Sequence, residues 1–201
     1  MPKVVDHEER RRHLGAAACV VLGRVGSVGM TVRAVAQEAG MALATAQHYL
    51  PSRERMVRAA IDHLVDRVVR RARAIPADPI SLDVVRQAMW QLLPLDEERV
   101  FEARVWLALT AEALVDEQVA AVLAESERGL RANLERLVAG GKANGSIGSH
   151  VDAQAEAGTL TSLMDGITTR VLTAALAPDD ARDQVDRYLA RLAPVRGGGS
   201  A

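Results

Sequence analysis

Several side chains between residues 31 and 53 could make the contacts that read double-stranded DNA. Gln47 can form paired hydrogen bonds with the edge of an adenine, and Leu43 or Ala44 can pack against the methyl group of a thymine. Arg53 stands where a helix could begin, so its charge and the free amides of that helix could hold a phosphate together. Such contacts require a short helix that fits the major groove.

The residues around these side chains predict a helix-turn-helix. Thr31 suits the N-cap of a short helix over residues 32–39, and Gly40 allows the chain to reverse its direction without steric cost. A second short helix follows over residues 43–49, and small residues such as Ala36 let the two helices approach closely. The second helix is expected to lie in the major groove. The same pattern would also fit a structural helical corner that binds no ligand.

The rest of the chain shows the spacing of helices, and no strand of convincing length occurs. The first helix carries an apolar stripe made of Leu14, Ala17, Ala18, Val21, Leu22 and Val25. Gly26 and Gly29 are predicted to end this helix, and Ser52 suits the N-cap of a long fourth helix. Five later helices are predicted near residues 82–93, 97–114, 119–140, 152–176 and 178–192, with a glycine-rich loop from Gly140 to Ser149. The fold class is therefore predicted as all-α, with about nine helices.

The composition is that of a folded chain. Of its 201 residues 49% are hydrophobic and 25% are charged, which excludes wholesale disorder. Cys19 is the only cysteine, which rules out an internal disulfide, and its apolar neighbours predict a buried thiol. No apolar run approaches the roughly 20 residues that cross a bilayer, and the first residues do not resemble a signal peptide. A cytoplasmic location without membrane contact is expected.

Charge is distributed unevenly along the chain. Residues 1–60 hold nine Lys and Arg against five Asp and Glu, whereas residues 61–201 hold sixteen against twenty-one. A basic head on an acidic body points the head towards a polyanion. The arginines at positions 10, 11 and 12 could form a solvated face, or one of them could touch a phosphate. His48 could also be a solvated surface residue.

Enzymatic chemistry finds little support in the sequence. The chain has no glycine-rich phosphate loop, no HExxH motif and no paired cysteine and histidine ligands. Its five histidines are scattered, and His63 on the fourth helix is expected to be structural or solvated. We therefore predict that the chain is not an enzyme, has no catalytic or metal site, and needs no cofactor.

The N-terminal segment resembles the TetR family of transcriptional regulators over about residues 8–65. The matching positions are Ala17-Ala18, Gly26, Thr31, Val35-Ala36, Ala39-Gly40-Met41 and Ser52-Arg53-Glu54. Three positions depart from the usual pattern: Gln47 replaces a common tyrosine, Leu50 a phenylalanine, and Ala42 a serine or threonine. Leu50 can still fill the small core, so these departures bear on base preference rather than on the fold.

The resemblance implies a role in DNA binding for nine residues. Thr31, Arg33 and Arg53 would meet phosphates, and Tyr49 would touch the DNA backbone. The residues implied to face the groove are Leu43, Ala44, Thr45, Gln47 and His48.

The C-terminal part resembles the choline-responsive, BetI-like subgroup of the same family over about residues 80–193. The segment from Leu93 to Asp116 and the run Leu163-Met164-Asp165-Gly166 carry this resemblance. It implies a pocket for an unknown small-molecule effector, although each candidate is more often plain core or, for a charged side chain, a solvated face or helix-cap contact. The candidates are Met89, Trp90, Leu93, Glu102, Trp106, Leu109, Leu160 and Met164, and Glu112 and Asp165 could also meet a cationic effector.

The resemblance also implies a homodimer. The last two helices, over about residues 152–193, would pair with their symmetry mates as a four-helix bundle. The residues from Leu160 to Leu192 offer more apolar surface than one monomer needs, which agrees with such a pairing.

These observations predict three segments: a helix-turn-helix domain over residues 1–52, a regulatory and dimerisation domain over residues 53–194, and a disordered tail over residues 195–201. The predicted function is a ligand-responsive repressor that binds a palindromic operator in double-stranded DNA as a homodimer. The alternative is a helical adaptor that binds only other proteins. DNA affinity that depends on salt concentration would distinguish the two, because an adaptor predicts none.

Overall fold

The computed structural model describes residues 7–194, with the side chain of Ser27 excepted; the predicted tail over residues 195–201 lies outside this range. The described range contains nine helices and no strand. None of these helices is long and apolar enough to cross a membrane. The helices are α1 (His7–Gly29), α2 (Val32–Glu38), α3 (Leu43–Tyr49), α4 (Arg53–Ala72), α5 (Leu82–Leu92), α6 (Glu97–Ala113), α7 (Glu117–Ala143), α8 (Ala153–Leu172) and α9 (Pro178–Ala190).

The described residues group into two compact units. The first contains the chain up to Arg67 together with Phe101–Ser126, and the second contains Val68–Val100 and the chain from Glu127 onwards. Each unit has a hydrophobic core of its own. The first fifteen residues of α4 therefore belong to the same compact unit as the helices that precede them. A functional boundary at residue 52 stays a prediction.

Helix α1 supplies a large share of the first core. The predicted stripe from Leu14 to Leu22 is buried, whereas Val25 is 49% exposed and does not join it. The helical geometry breaks at Gly26, the residue after Val25, where φ is 70° and lies in the left-handed region. The prediction was therefore correct for Gly26 and wrong for Val25.

Leu114, the last residue of the helix predicted near residues 97–114, lies outside the helix and outside the core. Helix α6 ends at Ala113, and Leu114 is 84% exposed in the turn that follows. Val65 on α4 is 41% exposed as well, although its neighbour Leu64 is buried. Both residues lie at the edge of a stripe, where a small change in helix end or rotation decides between core and solvent.

The glycine pair at the end of α7 is helical, which corrects the predicted loop from Gly140 to Ser149. A Cβ at Gly140 would lie 2.9 Å from the Cβ of Ile80, and a Cβ at Gly141 would lie 2.6 Å from Cδ1 of Ile147. The glycines are therefore places of close approach inside a helix. The turn begins only after Ala143, where Gly145 adopts a φ of 77°.

Helices α8 and α9 bury their apolar residues within the second unit. Leu160, Ile167 and Leu189 are at most 2% exposed and belong to its core. Leu163, Val171 and Leu176 are only half-buried, so an excess of apolar surface between Leu160 and Leu192 stays a prediction. Helix α8 also stops at Leu172 rather than near residue 176.

We expect Gly15→Ala to lower the free energy of unfolding by about 2 kcal/mol. A Cβ at this position would lie 2.6 Å from the carbonyl oxygen of Ala59, so α1 and α4 would have to separate. Urea unfolding followed by circular dichroism at 222 nm measures the change. The control is Gly129→Ala on α7, where a Cβ meets nothing within 4 Å; it should match the wild type or be more stable by up to about 1 kcal/mol. Equal behaviour of both variants would contradict the close approach.

The thiol of Cys19 should be unreactive in the folded protein. Cys19 is 2% exposed, and burial raises its pKa from 9.0 to about 12. Because the thiolate is the reactive form, a disulfide reagent at pH 8 should react only after urea unfolds the chain. The raised pKa stabilises the fold below about pH 9, and this contribution is lost as the pH rises towards 12. Rapid reaction under native conditions would contradict the burial.

Candidate nucleic-acid interface

Helix α2 begins and ends as the sequence predicts. Thr31 is its N-cap, with extended backbone and a hydroxyl that accepts a 3.2 Å hydrogen bond from the amide of Ala34. After the helix, Gly40 takes a φ of 61° and its amide donates to a carbonyl of the last turn. The amide of Met41 donates to the carbonyl of Ala36 at 2.9 Å, which completes a Schellman motif. This turn sets the direction in which α3 leaves.

Helix α3 has a buried face and an exposed face. Ala46 and Leu50 are 0% and 5% exposed, so Leu50 fills the small core as expected. Ala44, Gln47 and His48 are exposed, and their spacing of three and four residues places them on one face. An amide, an imidazole and a methyl group on one short helix can contact base edges.

The other three α3 residues predicted for the interface are partly committed to the protein itself. Leu43 and Tyr49 are half-buried and pack against the core, and Thr45 is half-buried. The hydroxyl of Tyr49 shares a 2.6 Å hydrogen bond with Nδ1 of His7 at the start of α1. DNA contact by these three residues stays a prediction.

A basic surface joins the starts of α1 and α4 to α3. Two adjoining depressions share His7, His48 and Tyr49. Arg10 lines one of them, while Arg11 and Arg55 line the other. We call the basic surface the set His7, Arg10, Arg11, His48, Tyr49 and Arg55. Composition hinted at the arginines of α1, but sequence reasoning missed Arg55 and His7.

The arginines of the basic surface differ in how far they are neutralised. Arg11 lies 3.8 Å from Glu8 in an exposed pair, which contributes little in water. Within residues 7–194, neither Arg10 nor Arg55 forms a salt bridge with a carboxylate. Arg33 at the start of α2 is also exposed. Cationic side chains that lack acidic partners are suited to the phosphates of a nucleic acid.

Two contacts from α1 hold the helix-turn-helix in place, and sequence reasoning missed both. Nε2 of His13 donates a 2.9 Å hydrogen bond to the carbonyl of Ala39, the residue that ends α2. Arg24 forms a salt bridge of 3.0 Å with Glu38 in the last turn of α2. These partners are separated by 26 and 14 residues, so no local pattern reveals them.

Arg53 is engaged within the protein. Its Nε donates to Oε1 of Glu112 at 2.6 Å, its Nη2 lies 2.5 Å from the same oxygen, and its Nη1 donates to the carbonyl of Met30 at 3.2 Å. Phosphate binding by Arg53 stays a prediction, although the structure directs the guanidinium to these two groups.

Five of the predicted effector-binding residues lie in the second unit. Met89, Leu93, Leu160 and Met164 are at most 5% exposed and form part of its core. Trp90 is half-buried and already has polar partners: its Nε1 donates to Asp186 at 3.0 Å, and the guanidinium carbon of Arg182 lies 3.7 Å from its ring centroid.

The other three predicted effector-binding residues lie in the first unit. Leu109 is fully buried, and Trp106 is half-buried against the same core. Glu102 is buried and accepts a 2.5 Å hydrogen bond from Nε of Arg67. Its carboxylate therefore has a cationic partner within the chain. The described residues contain no group of three or more His, Cys, Asp or Glu that could hold a metal ion.

Known transcriptional regulators are similar to this chain over its C-terminal part and over most of its length. The family model for the C-terminal domain of BetI-type transcriptional repressors matches residues 81–194. The chain is 28% identical over 173 residues to the HTH-type transcriptional regulator PksA of Bacillus subtilis. The aligned region covers 86% of this chain and 83% of that protein. It is 31% identical over 140 residues to the regulator BetI of Rhizobium meliloti, or 67% of this chain and 66% of that protein.

Solved structures share the fold. A TetR-family regulator from Rhodococcus sp. superposes with a TM-score of 0.86 at 23% identity, over 92% of this chain and 99% of the other. A transcriptional regulator from Saccharomonospora viridis in complex with choline gives 0.72 at 20% identity, over 92% and 97%. The matched proteins are regulators of transcription and not enzymes, as predicted. This chain belongs to the TetR family of helix-turn-helix transcriptional regulators, with a C-terminal domain of the BetI type.

Proposed function

We propose that this regulator is a repressor that binds a palindromic operator as a homodimer and leaves it when a small molecule binds. The observation that carries the proposal is the exposed face of α3, with Gln47 and His48 beside the basic surface. In this arrangement the arginines supply most of the affinity, and the α3 residues supply the preference for a sequence.

The contacts to DNA follow from the side chains that remain accessible. Gln47 takes the edge of an adenine, and Ala44 packs on a thymine methyl group. Thr31 uses its oxygen to cap α2, so its hydroxyl hydrogen is the part left to meet a phosphate. Arg33, Arg10 and Arg55 meet further phosphates.

Dimerisation through α8 and α9 is supported by the outward face of α8 rather than by apolar excess. Six exposed positions on α8 and just after it follow one another at alternating spacings of four and three residues, and each is small. They are Ala155, Thr159, Ser162, Gly166, Thr169 and Thr173. Small residues at this spacing let two helices pack closely along their length. A symmetric dimer then presents two α3 helices roughly 34–36 Å apart, one turn of DNA.

A small molecule that binds the C-terminal part would favour a spacing of the two α3 helices that no longer fits DNA. The family match covers that part of the chain, and one protein of similar fold binds choline. Choline is therefore the first effector to test. The eight predicted effector-binding residues remain the candidates, with Met89 and Leu160 in the second core and Trp106 in the first.

Fluorescence anisotropy tests the proposal directly. The protein is titrated against its own upstream intergenic DNA and against a scrambled fragment, at two salt concentrations. We expect tight binding to the native fragment that weakens steeply with salt. Gln47→Ala should lose much of the preference for the native fragment, whereas Gln118→Ala, an exposed glutamine on α7, should not.

Equal weak binding to both fragments would send the search to a selection from random DNA. Absence of binding there too would overturn the proposal in favour of the protein adaptor. Mass measurement in solution tests the dimer: a monomer at micromolar concentration would contradict it. Release of the operator by choline, and not by glycerol, would identify a cationic effector.

A further inference from the structure

We infer that Glu112 is a positioning residue for operator binding, which acts through Arg53 to fix the entry of the helix-turn-helix. The inference rests on the proposed binding of DNA. Arg53 stands at a position expected to hold a phosphate. In this inference it instead holds the start of α2 in place.

The geometry puts one guanidinium between two elements. Arg53 is the first residue of α4, and Glu112 lies in the last turn of α6. Nε and Nη2 of Arg53 reach the same carboxylate oxygen at 2.6 and 2.5 Å, while Nη1 reaches the carbonyl of Met30 at 3.2 Å. Met30 directly precedes Thr31, the N-cap of α2. The position of α2 is therefore tied to α6 through one side chain.

The burial of Glu112 favours the pairing of Arg53 with Glu112 over binding of Arg53 to a phosphate. The side chain of Glu112 is 9% exposed, and its Oε2 has no hydrogen-bond partner among residues 7–194. A buried carboxylate is costly unless a cation compensates it, so Glu112 holds the guanidinium strongly. Moving Arg53 to a phosphate would leave that carboxylate without its guanidinium partner. Arg55, by contrast, is exposed on the basic surface and forms no salt bridge with a carboxylate among residues 7–194.

The variant Glu112→Gln distinguishes the two roles of Arg53 by the sign of its effect. If Arg53 binds a phosphate, removing the carboxylate frees the guanidinium and deletes a negative charge, so DNA binding becomes tighter. If Arg53 positions α2, the amide holds it weakly, α2 shifts, and operator binding becomes weaker. We expect operator affinity to fall about tenfold, with affinity for scrambled DNA unchanged within about twofold.

Salt dependence provides the second readout. A positioning residue neutralises no phosphate, so the slope of log Kd against log salt should be the same for wild type, Glu112→Gln and the double variant Arg53→Gln with Glu112→Gln, which removes the guanidinium without leaving a buried charge; a phosphate-binding Arg53 would lower the slope of the double variant by about 0.9. Arg53→Lys keeps the charge but cannot hold both the carboxylate and the Met30 carbonyl, so its operator affinity should fall like that of Glu112→Gln. The matched control is Glu125→Gln, whose carboxylate pairs with Arg58 of α4 at 2.9 Å but is 59% exposed; it should behave as wild type.

A purely structural role would give a different pattern. Loss of folded protein lowers binding to operator and scrambled DNA in parallel, whereas a shifted α2 lowers only the former. Stoichiometric titration fixes the active fraction of each variant before the affinities are compared. Parallel loss on both DNAs, a reduced salt slope for the double variant Arg53→Gln with Glu112→Gln, or tighter binding by Glu112→Gln would each overturn the inference.

Hydrogen exchange separates this inference from the proposed function, because it needs no DNA. In Glu112→Gln the amides of Ala34 and Val35, which bond to Thr31, should exchange faster than in wild type, and in Glu125→Gln they should not. Unchanged exchange in Glu112→Gln would overturn the inference even if the protein binds its operator. A wild type that binds no DNA would overturn the proposed function, and the role of Glu112 in operator binding with it.

Discussion

Replacing Arg67 by methionine should lower the free energy of unfolding by about 3 kcal/mol. Arg67 near the end of α4 holds Glu102 of α6 at 2.5 Å, and the two side chains are 24% and 10% exposed. Removing the cation takes away a positive charge that offsets the desolvation of the buried carboxylate. Urea unfolding followed by circular dichroism measures the change.

The double variant Arg67→Met with Glu102→Leu should return to within about 1 kcal/mol of wild type, because two apolar groups replace the pair without leaving a buried charge. The exposed pair Arg58 and Glu125 provides the control: Arg58→Met should cost less than about 1 kcal/mol. If Arg67→Met were as mild as Arg58→Met, the burial of this pair would not matter for stability. If the double variant were as unstable as the single one, packing rather than charge would explain the loss.

Removing Arg10 and Arg55 together should weaken operator binding by roughly tenfold for each arginine at low salt. Both line the depressions beside α3, and within the described residues neither is held by a carboxylate. If each meets one phosphate, the slope of log Kd against log salt should fall by about 0.9 for each alanine substitution. Anisotropy titrations at four salt concentrations measure both quantities.

The double variant should lose affinity for operator and scrambled DNA alike, since phosphates carry no sequence. This is the opposite of the result expected for Gln47→Ala, which acts on preference. Arg128→Ala removes an exposed arginine of α7 outside the basic surface and serves as the control. An unchanged slope in the double variant would exclude the basic surface from the DNA contact.

The fold class and most helix boundaries follow from local signals in the sequence. The cap at Thr31, the left-handed turn at Gly40 and the start of α9 at Pro178 are set by side chains and backbone preferences within a few residues. Such signals act over one turn of chain, so a single sequence reveals them. The errors at Val25 and Leu114 occur where a helix ends, because apolar periodicity does not show which of the last residues of a helix are exposed to solvent.

The prediction from glycine was wrong at Gly140, where the glycine is required by a contact with a residue distant in the sequence. At Gly40 and Gly26 the residue serves a positive φ, and the sequence predicted both breaks. At Gly140 it serves the close approach of Ile80, sixty residues away, and the helix continues through it. The same residue type therefore indicates a turn or a contact, and only the packing distinguishes them.

The sequence by itself determined the nine helices of residues 7–194, the helix-turn-helix and the family of this regulator, because helical periodicity and capping are local and the motif is contiguous. The tertiary structure decided which charged side chains face solvent. Arg53 and Arg55 are two residues apart, yet one is held by Glu112, 59 residues away, and the other lines the basic surface. An arginine carries the same charge in either place, and its role depends on whether folding buries a carboxylate beside it.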